Sequence, residues 1–196
     1  MVNDDHGFAV MYRLRLKGRG GAERIAAAVG SDPASVGAAL EDLAERGLAL
    51  YREGRISGWL LTPEGRLECE RRVGRYRASL DTDVVAKLYD DDFLGLNQEF
   101  KALCARSQGP AHDHGDTLRR LESVHGGASR LLRQFAVHLT WFPVAYTSRF
   151  DTALERFREG DRAALVQPFT DSYHDVWMEL HEDLLLVLAR RREDED

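Results

Sequence analysis

Residues 47–66 read Gly47-Leu48-Ala49-Leu50-Tyr51-Arg52-Glu53-Gly54-Arg55-Ile56-Ser57-Gly58-Trp59-Leu60-Leu61-Thr62-Pro63-Glu64-Gly65-Arg66. Two short apolar runs flank a glycine-bounded turn, so the stretch predicts a hairpin: Leu48–Tyr51 out, Gly54–Gly58 as the turn, Trp59–Leu61 back. Thr62 then offers a side-chain acceptor at a helix N-cap, with Pro63 at the first helical position. Upstream, Ser31-Asp32-Pro33 opens a helix by the same chemistry, and Val36, Leu40 and Leu43 give it one buried face before Gly47 stops it. A short helix precedes it over Ala22–Val29, anchored by Ile25 and Val29 and ended by Gly30. Phe8, Val10, Met11 and Leu14 predict a first helix ending near Gly18, after which Gly20-Gly21 reads as a break.

Three helices, a hairpin and a further helix in this order make residues 1–75 a winged helix-turn-helix domain. The hairpin closes the core beneath the helix pair and its tip projects beside the third helix. The series Gly47-Leu48-Ala49 to Arg52, then Gly58-Trp59, then Leu61-Thr62-Pro63-Glu64-Gly65-Arg66 resembles the wing of MarR-type winged-helix regulators. Those carry glycine, leucine, a variable strand, the wing, leucine-threonine and glycine in that order. The resemblance covers about a third of the chain. It implies a DNA-binding dimer that responds to small molecules, with the third helix in the major groove and the wing on an adjacent minor groove or phosphates. On that reading Ser31, Ser35 and Ala38 face the bases, and Arg52, Arg55 and Ser57 form the wing contact.

Charge complicates this. Base readout usually employs Arg, Lys, Asn or Gln. The exposed face of the third helix instead offers Ser35, Ala38, Glu41, Asp42 and Glu45, with only Arg46 basic at its end. Residues 1–73 hold eleven basic and eleven acidic side chains, without the basic excess of a usual DNA binder. Arg13, Arg15, Lys17, Arg19 and Arg24 cluster along the first helix and the following turn, as a phosphate clamp or a solvated cationic face. The acidic helix favours a rival of another class: a winged-helix protein-interaction adaptor or regulatory subunit that does not bind DNA.

Residues 76–196 read as an all-α domain for dimerisation and effector binding. Asp90-Asp91-Asp92 precedes Phe93, Leu96, Phe100 and Leu103 at helical spacing, and three carboxylates suit a helix N-terminus. Asp116 reads as the cap of a long helix bearing Leu118, Leu121, His125, Ala128, Leu132, Phe135 and Leu139 on one face. Gly126-Gly127 either kinks this helix or admits a close neighbour. Pro143 opens a helix with Tyr146, Phe150, Leu154 and Phe157, and a last helix spans about 169–192. Its Tyr173, Trp177, Leu180, Leu184 and Val187 form one stripe; His174, Met178, His181 and Leu185 form the next. His174 and His181 share a side two turns apart, and with His125, Tyr173 and Trp177 they outline an effector pocket, near Asp171 and Glu122. Histidine suits such a switch because its charge changes near neutral pH. The alternative is that each imidazole satisfies a buried partner.

The remaining classes are narrowed by composition. The chain has 196 residues and a formal charge of −6, so nothing draws it globally to nucleic acid or anionic lipid. Cys69 and Cys104 fit no metal spacing and read as reduced thiols. His112-Asp113-His114 and Asp90–Asp92 lack further ligands, so no metal and no cofactor is expected. No Gly-x-Ser-x-Gly elbow, P-loop or dinucleotide fingerprint is present, and the chain is not expected to be an enzyme. Neither a signal peptide nor a membrane span is visible, which predicts a cytoplasmic protein. The expected partners are double-stranded DNA, a second copy of the chain as homodimer, and a small-molecule effector.

Overall fold

The computed structural model describes residues 2–54, 57–109, 113–139 and 145–192. It is mainly helical with one small antiparallel hairpin. The chain divides into two compact units: Met1–Ser79 together with Ala189–Asp196, and Leu80–Leu188. The division falls at 79/80 rather than 75/76, and the last residues go with the first unit. The second unit is thus joined to the first through the chain at both of its ends.

In unit 1 the order is α1 (Val2–Lys17), α2 (Ala22–Val29), α3 (Pro33–Glu45), β1 (Ala49–Arg52), β2 (Gly58–Leu61) and α4 (Pro63–Arg77). Local chemistry sets most of these limits. Gly30 adopts a left-handed φ of 72° at the end of α2. The Asp32 carboxylate accepts the Ser35 N–H at 2.8 Å, with Pro33 in the first turn of α3. Strands β1 and β2 pair as Ala49↔Leu61, Leu50↔Leu60, Tyr51↔Trp59 and Arg52↔Gly58. Gly20 extends this hairpin: its N–H donates to Trp59 O at 3.1 Å, and the Trp59 N–H donates back at 2.9 Å. The Gly20-Gly21 step is therefore not a simple break, since Gly20 pairs with β2.

The start of α4 is locked to the end of α3. Thr62 Oγ1 donates to Gly47 O at 2.7 Å and accepts the Gly65 N–H at 3.0 Å, while the Thr62 N–H donates to Leu48 O at 3.1 Å. This brings the helix so close that a Cβ at Gly65 would overlap the Leu48 carbonyl; only glycine fits. Val10, Met11, Leu14, Ile25, Val36, Leu40, Leu43, Leu61 and Val73 fill the core of the unit.

Unit 2 holds α5 (Thr82–Leu88), a π-helical turn (Tyr89–Phe93), α6 (Leu94–Ser107), α7 (His114–His138), α8 (Ala145–Arg158), α9 (Ala163–Val166) and α10 (Tyr173–Leu188). Three sequence expectations change here, and the choice left open at Gly126-Gly127 is decided. Asp90–Asp92 do not start a helix: they lie within the π turn of a continuous α5–α6 rod, and Asp91 pairs with Lys87. The cap of α7 is Asp113, which accepts the Asp116 N–H at 2.6 Å. At Gly126-Gly127 the helix continues, and a Cβ at Gly127 would stand 2.8 Å from Leu96, so the glycine admits α6. The last helix is shorter than 169–192, because Phe169 and Asp171 take left-handed φ values of 64° and 51°. Pro143 lies outside the described residues. Around α10, whose flanks are nearly all buried, stand Phe93, Phe100, Leu121, Phe135, Phe150 and Phe157.

Candidate functional site

The residues read as a DNA surface lie on α3, on the α2–α3 connection and on the hairpin of unit 1. Ala38 is exposed and Ser31 and Ser35 are half-buried. The Ser31 N–H helps finish α2 by donating to Ala26 O at 3.1 Å. Ser35 Oγ lies 3.0 Å from His6 Nε2 of α1. His6 was not singled out by sequence; it is distant in sequence and carries no motif. On the hairpin Arg52 is exposed, and Tyr51 meets Trp59 edge-on with ring centroids 5.5 Å apart. Ser57 Oγ donates to Gly54 O at 3.1 Å and accepts the Gly54 N–H, closing the turn. Arg55 lies outside the described residues.

The electrostatics of this face are mixed. Glu41, Asp42 and Glu45 are exposed on α3, and Asp42 binds Arg46 at 3.1 Å. The helix-one basic cluster is only partly a surface feature. Arg13 is 2% exposed and belongs to the core, whereas Lys17, Arg19 and Arg24 are half-buried. Helical periodicity explains this, since Arg13 shares a flank of α1 with Val10 and Leu14.

The residues read as an effector pocket lie in unit 2, where each meets its own partners. His181 is 2% exposed, and its Nε2 lies 2.9 Å from the Tyr89 hydroxyl. The π turn places both Tyr89 and Phe93 against this imidazole, with centroids 6.0 and 5.0 Å away. Trp177 is buried, stacks on Phe93 at 5.7 Å and donates its indole N–H to Asn97 Oδ1 at 2.9 Å. His174 is half-buried, with its ring 6.3 Å from Phe100.

His125 lies on α7, between Tyr173 and Asp151. Its Nδ1 lies 3.4 Å from the Tyr173 hydroxyl and its Nε2 3.2 Å from Asp151 Oδ1. Burial lowers the His125 pKa below 6.5, only partly offset by the Asp151 carboxylate. The neutral ring then accepts from Tyr173 and donates to Asp151. Burial raises the Tyr173 hydroxyl far above the usual range, and the Asp151 charge adds to this. The two flanking groups named from sequence are placed as well. Glu122 accepts Arg158 at 2.8 Å, and Asp171 accepts Arg149 at 3.0 Å.

Arg149 is the charged centre that sequence reasoning missed. It makes a bidentate pair with buried Glu179, at 2.7 and 2.9 Å. Burial opposes its charge, but the Glu179 hydrogen bonds and the Glu179 and Asp171 charges raise its pKa overall. Beside it the Tyr146 hydroxyl donates to buried Asp183 at 3.0 Å. Arg149 lies next to Phe150 in an amphipathic helix, where an arginine normally reads as surface.

Among the described residues no group of three or more His, Cys, Asp or Glu could hold a metal ion. Cys69 and Cys104 are buried, and burial pushes the Cys104 thiol up to about 12, so it stays protonated. No family model, curated protein or solved structure matches the chain. No helix among the described residues is long and apolar enough to cross a membrane.

A separate cleft of about 260 Å³ opens between α6 and α7. Buried Leu103 and Val124 form its floor, and Glu99, Arg106, Arg120 and Ser123 form its rim. Its sequence signal is a pair of helical faces, 99-102-103-106 and 120-123-124, which became meaningful only once the two helices lay side by side.

Proposed function

We propose that this chain is a DNA-binding transcriptional regulator of the winged-helix type, acting as a homodimer whose helical unit answers a small molecule. The observation that supports the reading is the pairing of Gly20 with Trp59. It gives the hairpin a third pairing partner in the helix–helix–helix–hairpin–helix order expected of a winged helix. The N-terminal half of α3, with exposed Ala38 and half-buried Ser35, would enter the major groove, and Arg52 and Arg55 would clamp phosphate. Two such units in a dimer would meet half-sites one DNA turn, about 34 Å, apart. An effector that prefers one spacing would shift DNA affinity reciprocally.

The exposed carboxylates of Glu41, Asp42 and Glu45 favour a second reading. In it the same face docks a basic protein surface, and the chain is an adaptor or regulatory subunit.

The deciding experiment titrates the full chain with random duplex and with DNA from upstream of its own gene over a salt series. The regulator reading expects preference for the upstream DNA and an affinity that falls steeply with salt. It also expects the Arg52→Glu/Arg55→Glu variant to lose binding. No binding at low salt overturns this reading and favours docking. Unchanged affinity in the double variant removes the hairpin from the interface. Light scattering on the same samples tests the dimer.

A further inference from the structure

We propose that the cleft between α6 and α7 is a binding site for a small zwitterion: an amine and a carboxylate joined by an apolar spacer. Charge is unevenly distributed along the cleft. The two helices are joined by a short connection and Leu96 meets Gly127, so the end of α6 lies beside the start of α7. Arg106 and Arg120 therefore share one end of the cleft, and Glu99 lies toward the other. From Glu99 to Arg106 the α6 axis advances about 10 Å, at about 1.5 Å per residue. Leu103 and Val124 lie between them as an apolar floor. A basic end, an apolar middle and an acidic end are the complement of such a molecule.

The rim groups also retain hydrogen-bonding capacity. Among the described residues, no side-chain hydrogen bond or ion pair engages Glu99, Arg106 or Ser123. Arg120 gives its Nε to Asp116 at 2.7 Å, which leaves both terminal nitrogens for a ligand. Asp116 is shared with Arg119, so the Arg120 end stays net positive. Elsewhere in unit 2 the arginines at 149, 156 and 158 are engaged with carboxylates. The size is consistent: ligand sites for drug-sized molecules run from about 300 Å³ upward, and this cleft is slightly smaller. Ala102 lines the cleft, so a bulky side chain there would intrude on it. This site goes beyond the DNA reading and does not depend on it.

The test is calorimetric titration of the full chain with 6-aminohexanoate, hexanoate and hexylamine. The zwitterion is expected to bind tightest, by about two- to fivefold over hexanoate, the gain of one partly exposed ion pair. Glu99→Gln should erase that margin and leave hexanoate binding unchanged. Arg106→Gln and Arg120→Gln should weaken both acids, and Ala102→Trp should abolish binding of all three. These positions are exposed, so thermal melts of the variants should match the parent. Absence of saturable 6-aminohexanoate binding at about 10 mM, equal binding of the three compounds, or binding that survives Ala102→Trp would each overturn the site.

Discussion

The two units solve the problem of a unique fold in different ways. Unit 1 is specified by backbone fit: Gly65 under the Leu48 carbonyl, Thr62 bridging Gly47 and α4, Asp32 capping α3. Unit 2 is specified by polar groups buried within an apolar bundle. Tyr89–His181, Asn97–Trp177, Tyr146–Asp183 and Arg149–Glu179 each tie α10 to another helix. A helix buried on all flanks could rotate or slide against purely apolar neighbours, whereas a paired polar group loses its partner when it moves. The Thr62–Gly47 contact of unit 1 spans 15 residues, whereas the polar pins of unit 2 join partners up to 92 residues apart.

The sharpest way to break this contrast is at Arg149. Replacing it with Met strips buried Glu179 of its guanidinium and should cost about 3–5 kcal/mol. Adding Glu179→Leu should recover much of that loss. Hydrogen exchange should show the loss in unit 2, with unit 1 protection unchanged; an equal loss in both units would show that the two do not unfold separately. The matching test of unit 1 is Gly65→Ala. The added methyl must displace the Leu48 carbonyl or the start of α4, at an expected cost of about 3 kcal/mol. Chemical denaturation should show a lower midpoint. A wild-type midpoint would mean that the close approach does not limit the fold.

The smallest effect sharpens the comparison by pH. The folded-state pKa of His125 is lowered below 6.5 by burial, and the groups facing it are Asp151 and Arg158 from α8, Glu122 from α7 and Tyr173 from α10. The unfolded chain therefore takes up the proton first. The His125 contribution is fully present above about pH 6.5 and declines as pH falls from there toward the lowered value, because protonation removes the Tyr173 acceptor. Melting temperature should fall over that window in the parent and fall less in His125→Gln. A parallel pH profile in the variant would remove His125 from the account.

Much of unit 1 was legible because its signals are local. Asp32-Pro33 and Thr62-Pro63 announce helix starts, Gly30 and Gly47 announce ends, and Gly54–Gly58 announces the turn. The Gly20–Trp59 pairing was not legible, since one isolated pairing has no periodicity. Arg13 was read as cationic surface because a residue's type says little about which flank a helix buries. In unit 2 the apolar stripes predicted where helices run, and Tyr146, Phe150, Leu154 and Phe157 are all buried. The same stripes could not say what the histidines meet. His181 and His174 share a side of α10, yet one is sealed against Tyr89 and Phe93 while the other lies near Phe100 at partial exposure. The π turn supplies the Tyr89 and Phe93 that cover His181, and Asp90–Asp92 form part of the rod instead of its beginning.

By itself, then, the sequence determined the kinds and order of the elements, the caps that bound them and the apolar faces that must be covered. Those properties follow from interactions within a few residues and from the periods of helix and strand. Only the tertiary structure decided that Arg149 is central, which partner each histidine meets, and that Glu99, Arg106 and Arg120 rim one cleft. Each depends on which helix flanks meet. That choice is made by packing and by satisfying buried polar groups across the chain.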